Sequence, residues 1–573
     1  MTKPAGAPSE LAQAVGQLRP YFIRAVLFSL FASFLVLAPT AYMLEVYERV
    51  LNSRSYLTLA MLTLLLLGLL FVMEVLEWSR AEQMHQAGLA LDQKLRTRVF
   101  DVVFDAKLKQ MPGGSHQPLT DLKIIRDFLG SAALFAAMEA PVALSFLILI
   151  FAMGPLLGWS AVIGAVIQTS LAWANERSAQ PMLLLANQAA VAAQGYADNT
   201  LRNAQVIESM GMLNSIHQKW LILQRKFLGL QAQASDRAGV FQALSKFWQN
   251  TVSSALLGIG CWLMLHDSLA GGAGMVIIGS VLGGRVLAPL VLMVSQWQSF
   301  INVRQAWARL SRLLDEHPAQ PPSMPLPPPK GVLQVEALVA GAPGAVAPIL
   351  RGVQFALIRG EVLAVVGPSA SGKTTLARLL TGIWPSLNGK VRLDGVDVYA
   401  WKKAELGPHV GYLPQDVDVF DGTVAQNIAR FAQPDAAKVE AAARLIGLHG
   451  FICTLPLGYD TQIGHAGLAL SGGQRQMLGL ARALYGDPVF VVLDEPNSSL
   501  DDDGDKALTD AIFQRKNMGT TFVVMTHRTS VLAVTDKMLL LRDGQVQMFG
   551  PRDEVMAKLQ AVPAAPVVVK RSD

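Results

Sequence analysis

Between Gly367 and Thr375 the chain reads GPSASGKTT, preceded by the apolar run VLAVV and followed by LARLL. A glycine-rich turn between a buried strand and a helix gathers backbone N–H groups, and the helix aims its positive end at them, which suits phosphate oxygens. Gly367 and Gly372 let the backbone curl, and Pro368, Ser369, Ala370 and Ser371 complete the loop. Lys373 is placed for β- and γ-phosphates and the Thr374 hydroxyl for Mg²⁺, with Thr375 beside it.

Downstream, VFVVLDEP sets four apolar residues, Phe490 to Leu493, ahead of Asp494 and Glu495. A buried strand ending in two carboxylates can hold Mg²⁺ through water with Asp494 and orient an attacking water with Glu495. The bland alternative is a surface Asp-Glu pair at a strand end. A further strand, TFVVMTH, ends at His527, which can contact a γ-phosphate if it shares that edge and is otherwise structural. A second glycine turn, LSGGQ, opens the amphipathic stretch GGQRQMLGLARALYG. Ser471, Gly472, Gly473 and Gln474 therefore offer another anion site at a helix start, which one nucleotide cannot fill together with the first.

These parts need a frame, and composition shows that part of it lies in lipid. The 573 residues are 52% hydrophobic and only 16% charged, where a soluble protein averages about 25% charged. The formal net charge of +5 is small for this length and its basic residues are scattered, so no nucleic-acid partner is expected. Cys261 and Cys453 lie far apart and support neither a disulfide framework nor a metal cluster.

Six apolar runs suit a bilayer, which takes about 20 helical residues: roughly Phe22–Met43, Tyr56–Leu76, Ala132–Met153, Leu156–Ala174, Ser253–Leu265 with its flank, and Met275–Val294. The fifth is interrupted by His266, Asp267 and Gly271. Lysines and arginines crowd the segments between the second and third runs and between the fourth and fifth, so both chain ends are expected on the cytoplasmic side. Those segments are poor in Gly and Pro and read as helices extending the spans beyond the lipid. Arg285, costly in lipid, either lines a pathway or serves as a helix-end snorkel or structural ion pair. Glu139, just before Pro141 at an expected helix bend, is a weaker pointer to a pathway. Gly279, Gly283 and Gly284 allow close helix packing or bending.

The predicted division is a short N-terminus at 1–20, a transmembrane domain at 21–316, a proline-rich linker at 317–330, a nucleotide-binding domain at 331–560 and a flexible tail at 561–573. In the linker, repeated prolines favour an extended spacer over a docking motif. Beyond it, β-branched runs alternating with amphipathic stretches indicate a mainly parallel sheet flanked by helices.

The order GPSASGKTT, YLPQD with Gln415, LSGGQ, VLDEP, NSSLD and MTHR resembles the ABC ATPases from Leu333 to about Gly550. The resemblance implies ATP and Mg²⁺ as ligands, Glu495, His527 and Gln415 as catalytic residues, and Thr374, Gln415 and Asp494 around the metal. It also implies head-to-tail pairing, with LSGGQ of one subunit closing on the nucleotide of the other. One copy of each motif makes a homodimer the simplest assembly, and a heterodimer stays open. Gln415 would also sense the transmembrane half, and Asp501 would communicate between sites, although it could simply cap the helix that follows. Ala342 stands where many relatives carry an aromatic ring under adenine, and His465 where many carry an acid.

In the first half, AYMLEVYERVLNSRSYLTL, QPLTDLKIIRDFLGS and LRNAQVIESMGM look like the ABC component of type I protein secretion systems, in the protease- and lipase-exporting subgroup. The fold class implied is an α-helical exporter-type transmembrane domain with six spans and long cytoplasmic extensions, fused to an α/β P-loop ATPase. The resemblance implies a bacterial inner membrane location, with membrane lipid around the spans and the ATPase in the cytoplasm. It further implies a periplasmic membrane-fusion adaptor, an outer-membrane channel protein and secreted polypeptides, unfolded and bearing a C-terminal signal, as partners. With about twenty residues before the first span, removal of leader peptides is not expected. The rival within the fold is an exporter of lipids, peptides or small molecules. A DNA-organising ATPase is disfavoured by the six apolar runs, and a nucleotide-gated channel by the intact Glu495.

Overall fold

The computed structural model describes residues 9–109, 114–266, 272–318, 324–344, 347–464 and 467–561. His465, part of the proline-rich linker and the tail after residue 561 lie outside them. The chain forms two compact units, one of residues up to 104 and from 115 to 319, the other of residues 105–114 and those from 320 onward.

The first unit is helical: α1 (Arg19–Leu35), α2 (Ala38–Glu45), α3 (Tyr56–Leu108), α4 (Gln117–Leu129), α5 (Ala132–Met153), α6 (Pro155–Arg202), α7 (Leu213–Leu265), α8 (Gly272–Ser295) and α9 (Trp297–Glu316). Helices α3 and α7 each run 53 residues and α6 runs 48. At 1.5 Å per residue they far exceed the ~30 Å hydrocarbon layer, so the basic segments do continue the apolar runs as helix. A turn of π-helix, Val46–Val50, follows α2. Pro155 at the first position of α6 is tolerated because no earlier carbonyl needs its missing N–H.

Among the described residues, five helices rather than six are long and apolar enough to cross a membrane. The expected fifth span, Ser253–Leu265, is the last part of α7, and polar Gln249 and Asn250 precede it in the same helix. The six-span count is thus not supported, because the apolar stretch is short and residues 267–271 fall outside the description.

Packing among α5, α6, α7 and α8 centres on Phe146, Ile150, Leu157, Leu256 and Leu287, all buried. Glycine permits the approach of α8 to α7: a Cβ on Gly283 would collide with the Leu256 side chain, and one on Gly284 would sit 3.1 Å from Ser253 Oγ. Polar bonds reinforce that seam, Ser280 Oγ donating to the Ser253 carbonyl at 2.7 Å and Gln249 to the Gly284 carbonyl at 3.1 Å.

Glu139 is placed in an ion pair. Arg80, itself 8% exposed, donates to its carboxylate at 2.6 Å and to Ser29 Oγ at 3.3 Å, and stacks over the Phe135 ring. Glu139, a pathway pointer by sequence, is engaged in a pair with Arg80. Arg285 is exposed on α8, and among the described residues no carboxylate lies within ion-pair distance. Glu139→Gln should lower stability by about 3 kcal/mol, since a buried guanidinium then loses its counter-charge. Thermal unfolding in detergent measures this, and pairing the change with Arg80→Met should recover most of the loss.

The second unit holds a four-stranded antiparallel sheet of β1 (Leu333–Ala340), β2 (Leu350–Leu357), β4 (Asn388–Leu393) and β5 (Val396–Asp397), in the order β2-β1-β4-β5. The larger sheet contains β3 (Val362–Val366), β6 (Val410–Leu413), β7 (Phe490–Asp494), β8 (Thr521–Met525), β9 (Lys537–Arg542) and β10 (Gln545–Pro551), in the order β10-β9-β3-β8-β7-β6. All its pairings are parallel except β9 with β10.

Every residue of β7 and β8 is buried. Their alternate side chains enter two cores: Phe490, Val492, Val523 and Met525 one, and Val491, Leu493, Phe522 and Val524 the other. Burial on both faces is why these strands read as continuous apolar runs, each large aliphatic contributing roughly 1.5–3 kcal/mol. The register pairs Met525 with both Val365 and Asp494, and Leu413 with Leu493. Parallel strands in register end at one edge, which is where open α/β sheets bind ligands.

Candidate functional site

That edge carries the first glycine turn. After β3 the loop Gly367–Gly372 leads into α10 (Lys373–Leu380). Gly367 admits no side chain, because a Cβ would collide with the Leu541 carbonyl oxygen. Gly372 has φ 104°, a conformation that excludes ordinary residues, and a Cβ there would meet Leu350 Cδ2 at 2.6 Å. Ala370 is also left-handed, at φ 63°. Pro368, Ser369 and Ala370 are exposed at the rim, while Ser371 and Thr375 are buried and the Ser371 hydroxyl has no hydrogen-bond partner. Lys373 is 7% exposed and turns its ammonium back on the loop, donating to the Gly367 carbonyl at 2.7 Å and the Pro368 carbonyl at 3.1 Å.

The ends of β6, β7 and β8 bring three further predicted groups together. Thr374 Oγ1 donates to Gln415 Oε1 at 3.5 Å, and Gln415 Nε2 donates to Glu495 Oε2 at 3.2 Å. His527 Nε2 lies 3.7 Å from Glu495 Oε1. One amide thus bridges the residue placed for a metal and the residue placed for a water.

Asp494 is 1% exposed, and both its carboxylate oxygens lack a hydrogen-bond partner. Burial pushes its carboxyl above the ordinary carboxylate range, the Glu495 charge adds to this, and Thr374, Arg378 and Lys373 oppose it. Burial together with Asp494 also pushes the neighbouring Tyr412 hydroxyl up to about 12. An orphaned buried carboxylate beside a threonine hydroxyl and an amide oxygen is the donor set a hard divalent cation takes, so these residues fit Mg²⁺.

Stability should register that orphan. Because the folded state raises the Asp494 pKa, the ionised group costs stability above the raised value, and the cost disappears as pH falls below the ordinary carboxylate range. Nucleotide-free Asp494→Asn should therefore unfold at a higher temperature than the parent at neutral pH, by about 1–3 kcal/mol of stability. The gain should vanish in acid. Differential scanning fluorimetry across pH measures both.

The second glycine turn forms no hydrogen bond to the first among the described residues. It heads α11 (Gly472–Leu484), whose N-cap is Ser471. Ser471 Oγ accepts from the Gln474 N–H at 3.2 Å, and Gln474 Oε1 accepts from the Ser471 N–H at 2.9 Å. This capping box satisfies two donors and leaves the remaining N–H groups of an exposed turn available. Asp501 caps α12 (Asp502–Asn517), accepting from the Gly504 N–H at 2.9 Å. The helix-cap expectation for Asp501 is thus met structurally. Ala342 is half-buried against the core around β1 and β2, and offers no ring.

Two side chains that sequence reading passed over hold α11. Gln476 bonds to the backbone after β7. Arg430, mostly buried and left-handed at φ 57°, donates to the carbonyls of Arg482, Ala483 and Tyr485 at the end of α11 and of Gly407 and Val410 at the start of β6. A cation on the last carbonyls complements the negative end of the helix. The available signal was a polar residue at 476 in the apolar stripe continued by Gly479, Leu480, Ala483 and Leu484.

The arrangement joins a glycine loop at a helix start, a buried carboxylate that fits a cation and a second carboxylate on one sheet edge, a set of groups suited to nucleoside triphosphate hydrolysis. A family model described as ABC transporter matches residues 350–498, and one described as ABC transporter transmembrane region matches 22–283. The chain is similar to the type I secretion system ATP-binding protein PrsD of Rhizobium meliloti (strain 1021), 38% identical over 556 residues, covering 97% of this chain and 95% of that one. It is 26% identical to the leukotoxin translocation ATP-binding protein LktB of Mannheimia haemolytica, over 95% of this chain and 77% of that one. Its fold is like that of a bacterial Atm1-family ABC exporter solved with ATP bound, at TM-score 0.83 and 22% identity, covering 96% of this chain and 99% of that one.

Proposed function

This chain belongs to the ABC transporter family, with the ATP-binding proteins of type I secretion systems, and from that we propose how its residues divide the work of export. It is a multi-pass membrane protein whose ATPase domain binds nucleotide and couples hydrolysis to transport.

Residues Gly367–Thr375 hold the triphosphate of ATP, with Lys373 exchanging its two carbonyl partners for phosphate oxygens. Thr374, Gln415 and Asp494 would hold Mg²⁺, which when bound neutralises charge on the phosphates. Glu495 orients the attacking water and accepts its proton, and His527 stands ready for the γ-phosphate. The observation that carries this is the Gln415 amide, which links Thr374 to Glu495 and would register whether both ligands are in place.

The Ser471–Gln474 turn acts on the nucleotide of a second copy, making a homodimer with two shared sites, and Asp501 lies between them. ATP clamps the dimer and hydrolysis releases it, with affinity differences between the two states supplying the work. We place the spans in a bacterial inner membrane with the ATPase on the cytoplasmic side, as the lysine and arginine distribution favours. A periplasmic adaptor and an outer-membrane channel complete the route for an unfolded polypeptide carrying a C-terminal signal.

Reconstituted in a bilayer, the protein should change its ATPase rate when the C-terminal segment of a secreted polypeptide is added, and a pull-down from membranes should bring the adaptor. A rate that answers only to lipids or small solutes would favour the rival exporter class instead.

A further inference from the structure

The glycine turn Ser471–Gln474 and the carboxylate of Glu495 belong to different elements, yet one side chain joins them. Gln476 lies one helical turn past Gly473, is 3% exposed, and donates its amide hydrogens to the Glu495 carbonyl at 3.2 Å and the Pro496 carbonyl at 2.9 Å. A side-chain amide has two donors, and both are used here.

Glu495 needs such a hold. Its φ of 52° is left-handed, and a residue kept there costs about 1–3 kcal/mol and persists only where its surroundings over-determine it. Its N–H donates to the Met525 carbonyl at 2.9 Å, fixing one side of the peptide to β8. Its carbonyl accepts from the Ser498 N–H at 3.2 Å and from Gln476, fixing the other side. A second contact runs parallel to the first. Gly473 lies so close to the segment after Glu495 that a Cβ would stand 3.0 Å from the Ser499 carbonyl oxygen. The start of α11 therefore rests on residues 495–499.

We propose that Gln476 is a positioning residue for ATP hydrolysis, which sets the backbone of Glu495 so that its carboxylate reaches the attacking water. It rests on the reading of Glu495 as the water-orienting group. Because Gln476 and Gly473 occupy adjacent turns of one helix, any movement of α11 as its glycine turn seats on a nucleotide is passed directly to Glu495 of the same chain.

The test compares side chains of similar reach with and without a donor, in the full-length protein in lipid nanodiscs. Gln476→Met should lower kcat about tenfold to a hundredfold, the cost of misplacing a catalytic group by an ångström or less. Affinity for ATP, read by a fluorescent analogue, should stay within about twofold, because a transition-state interaction and not ground-state binding is lost. Gln476→Lys restores a donor and should recover most of the kcat. Lys403 already shows a mostly buried ammonium bonded to two carbonyls, of Thr381 and Val398, in this domain.

A kcat unchanged by Gln476→Met, an equal loss in the Lys variant, or a parallel loss of ATP affinity overturns the proposal. If the Met variant does not assemble, Gln476→Glu keeps the shape, removes the donor and is read the same way. Continued hydrolysis by Glu495→Gln would remove the reading beneath this inference. A silent Gln476→Met beside an inactive Glu495→Gln would remove the inference alone.

Discussion

Glu495→Gln should reduce ATP turnover by about 10²–10⁴-fold, the contribution typical of a positioned general base, while ATP stays bound. The amide keeps the shape of the carboxylate and can still bond to Gln415, whose own amide can present either its oxygen or its nitrogen. It cannot take a proton from water. The surrounding geometry does not depend on the charge, since the Glu495 backbone is fixed through the Met525 carbonyl and Gln476. The variant should therefore accumulate as an ATP-bound dimer, seen as a larger species in size-exclusion chromatography with ATP and Mg²⁺ and as retained nucleotide after desalting. Hydrolysis at the parental rate would contradict the role given to Glu495, and turnover by an isolated protomer would contradict the shared site.

Lys373→Ala should act earlier, on binding. Its ammonium is buried and already dehydrated, held by the Gly367 and Pro368 carbonyls at the mouth of the loop. Phosphate oxygens replace neutral acceptors with charged ones at little further desolvation, and a charge-assisted hydrogen bond of this kind contributes about 1.5–3 kcal/mol. ATP affinity should fall about tenfold to a hundredfold, measured by equilibrium dialysis. The fold should survive, because Gly367 and Gly372 shape the turn through their backbones and α10 is anchored by Leu376, Leu379 and Leu380. A lysine needed only to brace the empty loop would instead show lost thermal stability with ATP affinity intact.

The two variants separate the steps. One stops with ATP held and the other before ATP arrives, so transport by either would show that the membrane half works without the nucleotide cycle.

Much of this molecule is written locally. The loop Gly367–Thr375, the turn Ser471–Gln474 and the carboxylates after Phe490–Leu493 are contiguous, and their chemistry follows from how neighbouring N–H groups and strand ends must point. Their order along the chain was enough to place the family, and the long charged extensions of α3, α6 and α7 follow from helix period and the scarcity of glycine and proline. The fifth apolar run lies, like the second and fourth, within a long continuous helix, and among the described residues it is too short an apolar stretch to confirm a sixth span.

What tertiary structure decided are the pairings between residues distant in sequence. Arg80 with Glu139 is separated by 59 positions, Gln415 with Glu495 by 80, and Gln476 with the Glu495 carbonyl by 19. The left-handed backbone of Glu495 and the orphaned carboxylate of Asp494 likewise arise only when β3, β6, β7 and β8 lie in register. Sequence settled which groups this protein has and which way each local turn must face, because those depend on residues a few bonds apart. It could not settle which of them touch, because a hydrogen bond across the fold depends on the packing of every layer between its partners.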